Sequence, residues 1–234
     1  MSRHAGVVAV TSIALEARIA RGPGVSVVLC SQSLHLAAKL KAAIAHGASG
    51  IISFGIAGGL SPELAAGDCI VASAVISGKD VFATDRAWAQ TLLEAIPNAI
   101  HAGVAGVETL LVSPDHKARV RRDTGAAVAD MESHIAAKVA VAHGIPFAAC
   151  RIVIDAAHRR LPAAASVGLR HDGTPDVRAV CRSVLRQPAQ IPDLVRTAFD
   201  ARVASRALRA ARKELGAGLG CPDYRDIAPE RAVA

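Results

Sequence analysis

Residues 126–155 read AAVADMESHIAAKVAVAHGIPFAACRIVID, and their pattern decides the fold. AAVADME is strand-like and apolar up to its acids. ESHIAAKVAVAHG takes helical spacing and stops at Gly144, and IPFAACRIVIDAA returns to a strand. Both strands are apolar almost throughout instead of alternating, the pattern of strands covered on two faces. The same alternation repeats upstream. GVVAVTSIALEA (6–17) reads as the first strand and VSVVLCS (25–31) as the second, followed by a helix in LHLAAKLKAAIAHG (34–47). GIISFGIAGGL (50–60) is a buried strand running into a glycine-rich turn, and GDCIVASAVIS (67–77) is another strand. RAWAQTLLEAI (86–96) reads as a helix, AGVETLLVS (105–113) as a strand and PDHKARVRRDTG (114–125) as a short charged helix. The expected fold is α/β: a single domain, residues 1–216, with a mixed, mostly parallel central sheet flanked by helices. From about residue 176 the chain turns helical and basic. Residues 217–234 read as a flexible tail.

Composition narrows the function. A chain of 234 residues can bury a full core without a disulfide or metal. No apolar run reaches the roughly 20 residues that span a bilayer. The N-terminal MSRHAGVVAV places a basic residue before an apolar run, as signal peptides do. The run is short, however, and Glu16 and Arg18 follow, so it reads as a buried strand. Cys30, Cys69, Cys150, Cys181 and Cys221 form no C-x-x-C pair, which argues against a zinc site or disulfide framework; Cys30, Cys69 and Cys150 read as small core residues. A reducing cytoplasm is the expected location. The net charge of +7 lies mostly on arginines after residue 150, while aromatics are only 3%, too few for a stacking platform. No nucleic-acid partner is expected. An arginine face opposite an apolar face does suit anionic lipid headgroups, so peripheral contact at the inner face of the membrane is expected.

Parallel sheets place ligands beyond the carboxyl ends of their strands. That rule selects Glu16, the GIAGG segment at Gly55–Gly59, Asp130-Met131-Glu132 and Asp155. The G-x-x-G-G spacing is neither a dinucleotide fingerprint nor a P-loop, and both a binding loop holding Gly55 and Gly58 and a plain tight turn stay open. In ADMES a carboxylate can accept hydrogen bonds from vicinal sugar hydroxyls or complement a helix N-terminus. Asp155 can serve as a general acid if desolvation raises its pKa, or cap the following helix. Glu16 can polarise a water or begin a surface helix. No metal cluster or cofactor motif is visible, and none is expected.

The order of these segments (the strand ending in Glu16, SFGIAGGLSPELAAGDCIVAS, ADMESHIAAKVAVAHGIPFAACR, then Asp155) resembles the purine nucleoside phosphorylase and methylthioadenosine/S-adenosylhomocysteine nucleosidase superfamily over roughly residues 6–160. The GLRHDGTPDVRAV segment and arginine-rich helices resemble the subgroup associated with hopanoid biosynthesis, held to release adenine from adenosylhopane. The resemblance implies that Asp155 protonates purine N7, that Glu132 binds the ribose hydroxyls with Met131 against the sugar, and that Glu16 orients the attacking water. It also implies a homo-oligomer. Phosphorylases of the superfamily carry a Gly-Asp-Pro-x-Arg-like element and a further Arg where this chain has Thr11-Ser12-Ile13-Ala14-Leu15 and Ser53-Phe54. Water is therefore favoured over phosphate, with Arg151 or the 79–86 loop as alternative anion sites. Ile56 replaces the serine of the nucleosidase glycine turn. His116 lies nearest the expected base-stacking aromatic, and SGKDVFATDRAW departs from the usual nucleosidase loop, which leaves the group at the ribose 5′ carbon open; the hopanoid-subgroup resemblance implies a large apolar one. From another class, the basic helices suit a membrane-surface protein with a vestigial pocket.

Overall fold

The computed structural model describes residues 6–29, 33–166, 174 and 176–222. Its elements run β1 (Val7–Thr11), α1 (Ala14–Ala20), β2 (Val25–Leu29), α2 (Ser33–Ala45), β3 (Gly50–Gly59), β4 (Cys69–Ser77), β5 (Asp80–Ala83), α3 (Arg86–Ala95) and β6 (Ile100–Gly106). They continue with α4 (Pro114–Thr124), β7 (Val128–Asp130), α5 (Ser133–His143), β8 (Phe147–Asp155), α6 (Ala163–Ser166), α7 (Val177–Arg186) and α8 (Ile191–Glu214).

The strands form one mixed sheet in the order β2-β1-β3-β7-β6-β4-β5, with β8 joining β3 to β4. The pairings β3–β7–β6–β4–β8–β3 therefore close on themselves, and β1 and β2 extend from the ring. Parallel pairings predominate, with antiparallel ones at β3–β7, β4–β5 and β4–β8. The apolar strands are covered on both faces, as their composition requires. Val7, Ala9, Ile52, Phe54, Ala148, Cys150 and Ile152 pack with Trp88, Leu92 and Leu208 on one side. Their strand neighbours Val8, Val10, Ile51, Ala149 and Val153 pack with Leu36, Leu40, Ala136 and Val139 on the other. This is the period of two along a strand, with each fully buried aliphatic side chain contributing about 1.5–3 kcal/mol.

Four expectations change. The first strand stops at Thr11, and Glu16 lies in α1, because its carboxylate folds back to accept the N–H groups of Ser12 and Ile13 and so starts a helix. The GIAGG segment is no turn but the last half of β3, bonded to β7 and β8. The strand placed at 105–113 lies earlier, at Ile100–Gly106, where its ladders to β4 and β7 run; beyond Gly106 no strand continues. Residues 217–221 begin no loose tail. Leu219 is fully buried, Cys221 is buried, and the Trp88 indole donates to the Leu219 carbonyl at 2.9 Å. Residues 223–234 lie outside the described residues, as do Cys30 and most of the GLRHDGTPDVRAV segment. Cys69 and Cys150 are buried as expected, with their sulfurs 3.7 Å apart. Among the described residues no helix is long and apolar enough to cross a membrane.

Candidate active site

The site is built around β3, which pairs with three other strands. Gly55 stands opposite Arg151 on β8, Gly58 opposite Asp155 on β8, and Gly58 also opposite Ala129 on β7. One short strand segment thus gathers the carboxyl end of β8, the end of β7 and, through Ile56, the start of α1. The register slips between Ala57 and Gly58, a bulge that carries Asp155 to its place.

Arg151 lies at the centre with no exposed surface. Its Nε meets Asp130 Oδ2 at 2.6 Å, and its Nη2 meets Ser53 Oγ at 2.5 Å and Glu132 Oε2 at 3.4 Å. Burial works against its charge, but Asp130, Glu132 and Glu16 outweigh that and hold the guanidinium's pKa above its ordinary value. The Glu132 pKa is raised as well, which here favours the neutral form. Its burial dominates, Arg151 opposes it, Asp130 and Glu16 add to it, and the carboxyl is raised from 4.5 to about 8. It is mostly neutral in the empty site near pH 7, and positive charge arriving beside it will favour its ionised form.

The two acids of ADMES divide their tasks. Asp130 Oδ1 accepts the backbone N–H groups of Glu132 at 3.1 Å and Ser133 at 2.8 Å, so Asp130 caps α5. Its other oxygen holds Arg151 and the Ser133 hydroxyl. Glu132 makes no cap and faces Arg151, while Met131 is half-buried between them in the chain. Glu16 is buried too. Its Oε2 accepts from Ser12 N at 2.9 Å and Ile13 N at 3.1 Å, and its Oε1 accepts from Ile56 N at 2.7 Å. Oε1 keeps a lone pair for a further donor. Gly55 separates Glu16 from Arg151: a β-carbon there would lie 2.4 Å from Glu16 Oε1 and 2.8 Å from Arg151 Nη1.

Asp155 ends β8 and is buried. Burial raises its pKa, and Lys117 partly offsets that. Lys117, itself buried on α4, grips Asp155 Oδ2 and donates to the carbonyls of Ala156 at 3.0 Å and Arg159 at 3.2 Å. His116, the neighbouring residue proposed against the base, is exposed, its backbone N–H tied to the capping Ser113. A cleft of about 430 Å³ opens from Asp155 between the β8–α6 loop and α8, lined also by Arg159, Arg160, Arg196 and Asp200. It falls within the range of about 300–1,000 Å³ usual for small-molecule sites. Glu16, Met131 and Glu132 do not line it.

The structure brings the acids singled out in the sequence to neighbouring strand ends and adds Lys117, which sits in a charged helix that reads as surface. Only the spacing PDHKARV, with Lys117 and Val120 on the inner side of the turn, hinted at it. As an anion site Arg151 fails, because it is fully buried and already paired with the Asp130 carboxylate. Among the described residues no three His, Cys, Asp or Glu side chains stand together as metal ligands.

Fold and site define an α/β protein with buried acids gathered at the ends of neighbouring strands. The chain belongs to the Phosphorylase superfamily, which it matches over residues 17–195. Among curated proteins no sequence matches it. Solved structures share its fold. The futalosine hydrolase of Helicobacter pylori superposes with a TM-score of 0.62 at 14% identity, over 91% of this chain and 100% of that one. The 5′-methylthioadenosine/S-adenosylhomocysteine nucleosidase of the same organism, solved with butyl-thio-DADMe-Immucillin-A, gives 0.64 at 13% identity, with coverage of 91% and 100%. The S-adenosylhomocysteine nucleosidase of Streptococcus pyogenes, in complex with 5-methylthiotubericidin, gives 0.62 at 13%, with coverage of 90% and 97%.

Proposed function

We propose that the chain cleaves the N-glycosidic bond of an adenine nucleoside, with water as the nucleophile. The observation that supports this most is the placing of two kinds of carboxyl group on one strand end. Through β3, Asp155 stands at Gly58 while Glu132 and Glu16 cluster around Arg151 beside Gly55. Glycosidic cleavage needs that division, since negative charge builds on the departing base and positive charge on the ribose. Asp155 gives N7 a proton, Glu132 accepts from the ribose hydroxyls, Met131 lies against the sugar, and Glu16 Oε1 orients the water. The nucleoside analogues held by the Streptococcus pyogenes and Helicobacter pylori nucleosidases support an adenine nucleoside. Phosphate is disfavoured because the buried arginine is already paired with the Asp130 carboxylate.

The particular substrate proposed is adenosylhopane, giving ribosylhopane and adenine in hopanoid biosynthesis. It rests on the resemblance of the C-terminal segments and on the departures at Ile56 and residues 77–88. Such a substrate resides in a bilayer, and α7 suits a bilayer surface: none of its residues is buried. Val177 and Leu185 are 64% and 81% exposed, Val195 and Phe199 on α8 are 65% and 66% exposed, and Arg178, Arg182 and Arg186 stand exposed beside them. This surface supports a place in the cytoplasm against the inner membrane face; the homo-oligomer rests on the superfamily resemblance alone. Incubation with adenosine, methylthioadenosine and adenosylhopane, with and without phosphate, tests the proposal. Phosphate-independent adenine release, fastest from adenosylhopane, is expected. Strict phosphate dependence would replace it with a phosphorylase.

A further inference from the structure

We infer that Lys117 and Asp155 form one proton-holding unit, with Lys117 the positioning residue that supplies Asp155 with the proton given to the leaving base. The inference rests on the reading of Asp155 as the acid at the base. A lysine with 1% exposure is unfavourable unless its charge and all three N–H groups are satisfied. Lys117 meets that condition with three acceptors, Asp155 Oδ2 and the carbonyls of Ala156 and Arg159. One of the three follows Asp155 directly and another lies four residues on, so the lysine fixes the exit from β8 as well as the carboxylate. The grip takes Oδ2 and leaves Oδ1 on the side of Gly58, where a β-carbon would sit 3.4 Å away. That oxygen is the one we assign to the base.

Such a pair carries one movable proton, as ammonium with carboxylate or as amine with carboxylic acid. When the bond between ribose and base breaks, its electron pair goes to the base. The proton passes from Nζ to the carboxylate and from the carboxylate to N7. The base leaves neutral, and the pair is left as amine and carboxylate. Water adds its oxygen to the ribose carbon, and the proton it sheds to solvent restores the pair. The surrounding charges are few and identified. Asp200 on α8 opposes ionisation of Asp155, and the Arg159 guanidinium faces Asp200 at 3.9 Å. His158, Arg160, Asp193 and Arg196 line the cleft. Glu16, Glu132 and Asp130 act on Arg151 instead.

Lys117→Met and Lys117→Arg test this. Methionine fills the space without charge; arginine keeps the charge but cannot give up a proton. Both variants are expected to lower kcat by ~10²-fold with KM little changed. Both should move the alkaline limb of kcat to lower pH, because Asp155 must then hold the proton alone. Thermal melting and adenine binding confirm that each variant folds. Recovery of wild-type kcat in Lys117→Arg, or an unmoved pH profile in Lys117→Met, would overturn the inference. If the wild-type protein releases adenine from no nucleoside, the proposed function fails, and the pair is still open to test. In protein carrying labelled lysine, the Lys117 Nζ resonance should move in Asp155→Asn relative to wild type, because the carboxylate contact is lost. An unmoved resonance would show that the two do not act as a unit.

Discussion

Glu132 ties stability to pH at the scale of one residue. Its folded pKa of about 8 lies above the ordinary 4.5, so between those values the folded protein holds a proton that the unfolded chain has released. The stability from a neutral, buried Glu132 is complete below pH 4.5 and is lost as pH rises through 8. Asp155, also raised, adds to the same slope. A single group can contribute at most about 1.4 kcal/mol per pH unit. That corresponds to about 3–6 °C in Tm per pH unit for a chain of this size. Thermal melts of the ligand-free protein should therefore fall in Tm from mildly acidic to mildly alkaline pH, and Glu132→Gln should flatten the fall. Equal slopes in both proteins would contradict the environment assigned to Glu132. Asp155→Asn should fold normally and lose ~10²–10⁴-fold in kcat. Glu16→Gln should reduce hydrolysis more than binding of an adenine nucleoside analogue; weaker binding alone would make Glu16 a sugar ligand. These acids were legible because each closes or follows an apolar run. Lys117 was not, since a lysine among His116, Arg119, Arg121 and Arg122 gives no sign in sequence of facing inward.

Element by element, β3 explains why a glycine-rich segment belongs here. Gly55 leaves room for Glu16 and Arg151 to face the same strand, and Gly58 stands in ordinary contact distance of Asp155. Gly55→Ala should cost about 1–3 kcal/mol through overpacking, read as a drop of several degrees in Tm. Gly58→Ala, whose β-carbon would meet Asp155 Oδ1 at 3.4 Å in ordinary contact, should melt close to wild type. Similar melting of the two variants would mean that Gly55 is not held between those side chains. The strand was easy to find, but its glycines read as a turn, because a sequence does not show which strands will pair beyond the apolar run. β6 was misplaced for a related reason. IHAGVAG is weakly strand-like, yet Gly106 is needed where His134 packs, 2.3 Å from a β-carbon there. β5 follows Gly78 in a tight hairpin, Ser77 facing Asp80, whose strand is only four residues long.

Across the whole molecule, the sheet closes through β8 and gathers the acids, while α8 and residues 217–221 cover one face of the core. Helix α7 is left with an apolar strip and an arginine strip and no buried residue. Flotation with vesicles containing anionic lipid should carry the protein upward at low salt and less so at high salt, since surface charges are screened beyond about a Debye length. Failure to float at low salt would remove the membrane from the proposal and leave the nucleosidase untouched. The alternation of apolar strands and helices was enough to anticipate an α/β domain. The closure of the sheet was not, because pairing between distant strands leaves no local trace. The nucleophile is the central claim for the molecule as a whole, and it can be read from one product. Cleavage of the adenine nucleoside in heavy-oxygen water containing phosphate, followed by mass analysis of the sugar, should give a free ribosyl product that carries the heavy oxygen; an unlabelled ribose 1-phosphate derivative would contradict it.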